Sequence, residues 1–74
     1  MKVTIKLFAF FRESRFKIEN RDLEKGTTVG NIVDVLGIDR KEIGVLMINS
    51  RHTTLETELS ENDILAIFPV IGGG

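Results

Sequence analysis

Ile64-Leu65-Ala66-Ile67-Phe68-Pro69-Val70-Ile71-Gly72-Gly73-Gly74 closes the sequence, and this stretch decides how the rest is read. Ile64 to Phe68 is apolar at every position, so a strand built from it must be covered on both faces. That places it in the middle of a sheet rather than at an edge. Pro69 has no N–H to give to a ladder, so the strand is expected to stop there. Two β-branched residues then lead into three glycines. Two readings stand for these glycines: a frayed or appended terminus, or a carboxylate presented as a reagent. The apolar strand runs up to them with no polar spacer, which favours the second. Glycine also suits that role, because without Cβ the last two residues can thread a narrow channel and leave the Gly74 acyl carbon unhindered. Five residues beyond Pro69 reach at most about 17 Å.

A central last strand needs neighbours, and the sequence supplies them. Met1 to Phe8 alternates, with Val3, Ile5 and Leu7 on one face and Lys2, Thr4 and Lys6 on the other, the mark of a half-buried strand. Phe8-Ala9-Phe10-Phe11 is denser, and two or three of its rings are expected to turn into the core. Arg12-Glu13-Ser14 reads as a connection, and Arg15 to Asn20 as a second strand with Phe16 and Ile18 inward, which makes a hairpin. After a polar turn, Thr27 or Thr28 caps a helix whose stripe is Val29, Ile32, Val33 and Leu36. Gly37 closes it in a left-handed conformation. Asp39 to Glu42 suits one further helical turn, ended by Gly44. Val45 to Asn49 reads as a third strand, Asn49-Ser50 as a tight turn, and Arg51 to Thr54 as a weak edge strand. Leu55 and Leu59 anchor an acidic loop, and Asn62 sits where a turn asks for positive φ.

The order is β-β-α-β-(β)-β. With the last strand central and paired in parallel with the first, this is an α+β chain of the β-grasp (ubiquitin-like) type: a mixed sheet of four to five strands packed on one helix. The expected division is a folded domain over 1–69 and a tail over 70–74.

Composition removes most other chemistry. The 74 residues include no cysteine and one histidine, so neither a thiol nucleophile nor a His/Cys zinc site is available. His52 has only hydroxyl neighbours in sequence, Thr53 and Thr54, and reads as plain surface. The acids between Glu56 and Asp63 lack the spacing of a calcium loop and read as a solvated face. Residues 1–27 carry seven Lys/Arg against four acids and residues 28–74 three against seven. That asymmetry suits docking to a protein, or equally an ordinary solvated surface, and is too mild for nucleic acid. The run Leu7 to Phe11 ends at Arg12, short of a signal segment, and nothing reaches membrane-spanning length. A cytoplasmic protein is expected.

Phe8-Ala9-Phe10-Phe11-Arg12-Glu13, Leu59-Ser60-Glu61-Asn62-Asp63-Ile64-Leu65 and Phe68-Pro69-Val70-Ile71-Gly72-Gly73-Gly74 together resemble the ubiquitin-like sulfur-carrier family over essentially the whole length. Among its members the chain is most similar to the small subunit of molybdopterin synthase. Ser50 and Asn62 stand where the family has turn glycines, and Val70 where that subunit has a second proline. The tail is closer to that of the thiamine-pathway carrier. The resemblance implies that Gly74, with Gly73, forms the reactive tip, with Phe68, Pro69, Val70, Ile71 and Gly72 meeting the partner. It implies that a ubiquitin-activating-type adenylyltransferase uses ATP to adenylate the Gly74 carboxylate, and that sulfur then displaces AMP to leave a thiocarboxylate. The thiocarboxylate would serve the large subunit of molybdopterin synthase, or a thiazole synthase. No permanently bound cofactor or metal is expected. A ubiquitin-like modifier joined to other proteins through Gly74 is the alternative.

Overall fold

The computed structural model describes residues 1–70. Expectations placed on Ile71, Gly72, Gly73 and Gly74 lie outside the described residues. Five strands, β1 (Lys2–Leu7), β2 (Ile18–Asp22), β3 (Ile43–Ile48), β4 (Arg51–His52) and β5 (Ile64–Pro69), form one sheet. Its order is β2-β1-β5-β3-β4. Among the described residues there is one α-helix, α1 (Val29–Val35), in the connection between β2 and β3. β5 occupies the centre, parallel to β1 and antiparallel to β3, as expected, but only one of its faces is covered: Leu65 and Ile67 are buried whereas Ile64 is 40% exposed. The β-grasp expectation holds.

Strand alternation divides the residues between two faces. Val3, Ile5 and Leu7 of β1, Leu46 of β3, and Leu65 and Ile67 of β5 are buried together with Val29, Ile32 and Val33 of α1. Leu36 packs at the margin of this cluster, so the predicted helical stripe is the one that faces the sheet. A helix of seven residues cannot stand alone, and its ends are correspondingly well secured. The Thr28 hydroxyl accepts from the Asn31 N–H at 3.1 Å, while Asn31 Oδ1 accepts from the Thr28 N–H at 2.9 Å. Gly37 ends the helix at φ +72°. It donates to the Asp34 carbonyl at 3.0 Å, and Ile38 donates to the Val33 carbonyl at 3.1 Å, the paired bonds of a left-handed C-terminal cap. The Arg15 guanidinium reaches across to the carbonyls of Leu36 and Gly37, tying the β1–β2 connection to the helix end.

The turns follow expectation in part. Asn49 and Ser50 both take positive φ, the conformation that a two-residue hairpin turn demands, and Asn62 does so as well. Asp39 caps a single 3-10 turn at Arg40–Glu42. β4 is shorter than expected and ends at His52. Leu59 is buried and Leu55 packs against the core, so both anchor the acidic loop.

Three expectations are corrected. The second strand starts at Ile18 rather than Arg15, and Ile18 points outward and is 59% exposed. Ile18 pairs with Lys6, and Glu19 with Ile5. Directly opposed residues share a face, so Glu19 and Arg21 turn toward the helix side. They form an ion pair at the sheet edge, and the Arg21 guanidinium lies 5.6 Å from the Phe16 ring. Secondly, the clustered phenylalanines are not core as a group. Ala9–Arg12 forms a 3-10 turn that buries Phe11 and leaves Phe10 42% exposed. Thirdly, β5 includes the proline rather than ending at Phe68: Pro69 pairs with Ile43 and is the last residue of the strand.

Phe11→Ala is expected to destabilise the fold by about 3–5 kcal/mol, the usual cost of emptying a fully buried aromatic site. Thr28→Ala is expected to cost about 1 kcal/mol through loss of the helix cap. Denaturant titration of both variants checks the ranking.

Candidate functional site

The parallel pairing of β1 and β5 ends at Leu7 opposite Ile67. Each strand therefore sends its next residue, Phe8 or Phe68, past the last pair, and both rings lie on the face away from the helix. They stack with centroids 4.1 Å apart and planes 13° from parallel. The Arg12 guanidinium sits 5.2 Å from the Phe8 centroid, and its Nε donates to the Leu7 carbonyl at 2.7 Å. Arg12, Phe8 and Phe68 thus make a layered column at the base of the tail. An aromatic stack adds roughly 0.5–1.5 kcal/mol beyond its area. Phe68 is only half-buried, so it is not the core anchor that a fully apolar strand suggested.

Beside this column lies an apolar groove lined by Gly44, Val45, Met47, His52, Phe68, Pro69 and Val70. Met47 and Phe68 also border a second shallow depression shared with Lys6, Phe8 and Ala66. Val70 is 57% exposed, while Pro69 is buried between the strands. Of the residues assigned to the tail and its contacts, Phe68, Pro69 and Val70 are thereby brought together at one end of the sheet centre. Ile71, Gly72, Gly73 and Gly74 continue from that point.

Sequence reasoning missed Gly44, Met47 and the Phe8 ring as parts of this end of the molecule. Phe8 was legible. Lys2, Thr4, Lys6 and Phe8 share one parity, so the outward face of β1 necessarily ends on an aromatic ring. His52, paired with Met47, is exposed and borders the groove. Among the described residues, no group of three or more His, Cys, Asp or Glu side chains is arranged to hold a metal ion. Arg40 forks onto both carboxylate oxygens of Asp34 at 3.1 and 3.0 Å. That bond is the first cause of the upward shift of its pKa, and the pair is exposed and structural in character.

Chains of the same shape are known. The protein SAMP1 from Haloferax volcanii superposes with a TM-score of 0.77 at 24% identity over 100% of both chains. A candidate subunit 1 of molybdopterin converting factor from Pyrococcus furiosus gives 0.77 at 22% identity, over 96% of this chain and 99% of that one. A chain from the complex of subunits 1 and 2 of the Helicobacter pylori molybdopterin-converting factor gives 0.66 at 16% identity, over 100% of both. At such identities the likeness is one of fold. No curated protein matches by sequence. The ThiS family model, however, matches residues 5–74, a span that takes in the central strand pair, the column at its end and the glycines beyond, and this chain belongs to the ThiS family.

Proposed function

We propose that this chain is a sulfur carrier whose working group is the Gly74 carboxylate. The observation that carries the reading is the family match over residues 5–74, which runs through the glycines. The exit of β5 from the centre of the sheet supports it. Residues 1–69 then act as the folded body and residues 70–74 as the tether. With no cysteine in the chain, sulfur rides on the main-chain terminus.

The chemistry divides between this chain and its partners. A ubiquitin-activating-type adenylyltransferase binds ATP as co-substrate, the Gly74 carboxylate oxygen attacks its α-phosphate, and pyrophosphate leaves. Sulfur carried as a persulfide attacks the acyl carbon and AMP leaves. A second thiol then cleaves the S–S bond, forming a disulfide and releasing the thiocarboxylate. The chain contributes the terminus and a docking body, with Phe68, Pro69, Val70, Ile71 and Gly72 as the stretch the partner meets. Glycine at 73 and 74 keeps the acyl carbon open to attack.

Molybdopterin synthesis is our first assignment for the acceptor, with the large synthase subunit as partner. The subunit 1–subunit 2 complex of the Helicobacter pylori factor supports it. Thiazole synthesis is the second. The alternative is a protein modifier joined to lysines through Gly74, which the likeness in fold to a Haloferax volcanii chain described as small archaeal modifier protein 1 supports. No helix among the described residues is long and apolar enough to cross a membrane, and we place the reaction in the cytoplasm.

Mass spectrometry of the chain recovered from its host separates the readings. A free protein with one oxygen exchanged for sulfur is the expected product of a carrier, and isopeptide-linked targets the product of a modifier. Gly74→Val is expected to leave the melting temperature unchanged and to reduce thiocarboxylate formation to background. Full retained biological activity after deletion of Gly73 and Gly74 overturns both readings.

A further inference from the structure

The ladder between β3 and β5 has one irregularity, and it lies at the base of the tail. Ile43 is opposite Pro69 and Val45 is opposite Phe68, so Gly44 has no partner and forms a bulge. A Cβ on Gly44 would stand 2.7 Å from the Pro69 carbonyl oxygen, 2.9 Å from its carbonyl carbon and 3.0 Å from the Val70 nitrogen. These obstacles are main chain, which cannot rotate aside as a side chain can. Gly26 and Gly37 are the described glycines with positive φ, so what position 44 demands is space rather than an unusual backbone conformation. Because the two backbones close here, the ladder resumes past the proline, and Val70 N–H donates to the Glu42 carbonyl at 2.8 Å.

We propose that Gly44 is a positioning residue for the reactive tail. By admitting the Pro69–Val70 backbone it secures the Val70–Glu42 bond, and that bond holds the point from which residues 71–74 continue. The inference rests on the reading of Gly74 as the reacting carboxylate, although the anchor itself does not.

The effect expected from losing the anchor can be bounded. Releasing the chain back to Ile67 lengthens the tether by about three residues, which alone lowers the effective concentration of the terminus only about twofold. Misdirecting it is more serious, since an ångström of displacement at a reacting group can cost about a hundredfold. A loss of about tenfold lies between these limits. It falls mainly on kcat, and the KM for the carrier rises less, because only the Phe68–Val70 part of the docking surface shifts while the rest of the body is unchanged.

Gly44→Ala tests this with two readouts: amide hydrogen exchange, and ATP–pyrophosphate exchange catalysed by the adenylyltransferase of the same genome. In the unaltered chain the Val70 amide is expected to exchange at least about tenfold more slowly than an unstructured amide. In Gly44→Ala that protection disappears while the Ile5 and Ile67 amides keep theirs. kcat then falls about tenfold while the KM for the carrier rises by less than about threefold. Replacing the Val70 amide by an ester through peptide ligation removes the donor without adding bulk. It is expected to reproduce the loss of kcat even where Gly44→Ala fails to fold. An unprotected Val70 amide in the unaltered chain, or full kcat in either variant, overturns the proposal. So does a loss carried by KM with kcat kept, or one that comes with unprotected core amides. An unaltered chain that supports no pyrophosphate exchange sinks the carrier reading itself, and the Val70 amide still reports whether the anchor exists.

Discussion

When β5 pairs in parallel with β1, from Thr4 opposite Ile64 to Leu7 opposite Ile67, both strands leave the sheet at the same end and side by side. Everything distinctive about that end follows. Neighbouring strands lie about 4.8 Å apart, so the residues one step beyond the last pair are held at stacking distance, and these are Phe8 and Phe68. The same pairing makes β5 interior, with β3 on its other edge, so the chain toward Gly74 departs from the middle of the molecule. A tail leaving from an edge strand would depart from the weakest part of the sheet. Here it departs from the most restrained.

Much of this was legible because strand alternation is a local property. The β1 pattern divided its faces correctly, the uniformly apolar β5 declared its central place, and the helix stripe with its Thr28 and Gly37 ends is a short-range signal. Errors arose where a register set by a distant strand overrode local pattern. Phe16 and Ile18 share a parity and look like one inward face. Phe16 precedes the strand, however, and Ile18 is forced outward by its pairing with Lys6. The phenylalanine cluster failed for a related reason. A 3-10 turn rotates successive side chains about the axis by roughly 120°, so Phe10 and Phe11 cannot share one environment, and only Phe11 reaches the core. The closing residues were legible as a motif, but the pairing of Phe68 and Pro69 with β3 across a bulge was not.

The two faces of the sheet do different work. The helix face carries the contiguous buried cluster from Val3 to Ile67 and supplies the stability of a small domain. The opposite face carries the Phe8–Phe68 stack, Met47, Val45 and Ala66 without any layer above them among the described residues. Substitutions that change how the chain meets other molecules therefore have a surface on which to act without emptying the core. The basic groups Lys6 and Arg12 border this apolar surface.

Pro69 and Gly44 make sense only as a pair. Proline in an interior strand leaves a ladder position with no donor, and within sheets it is tolerated chiefly at edges and bulges. Gly44 supplies the bulge, and the first donor after the proline finds the Glu42 carbonyl. Both residues carry a stability cost in a strand: a missing hydrogen bond for one, and for the other roughly 0.5–1 kcal/mol of backbone entropy relative to alanine. A domain of this size buries only about 60% of its unfolded surface, so such costs are not small. Neither residue is needed to form the core cluster, which closes at Leu7 and Ile67. What the pair does achieve is a defined backbone just beyond Ile67, at the end of β5.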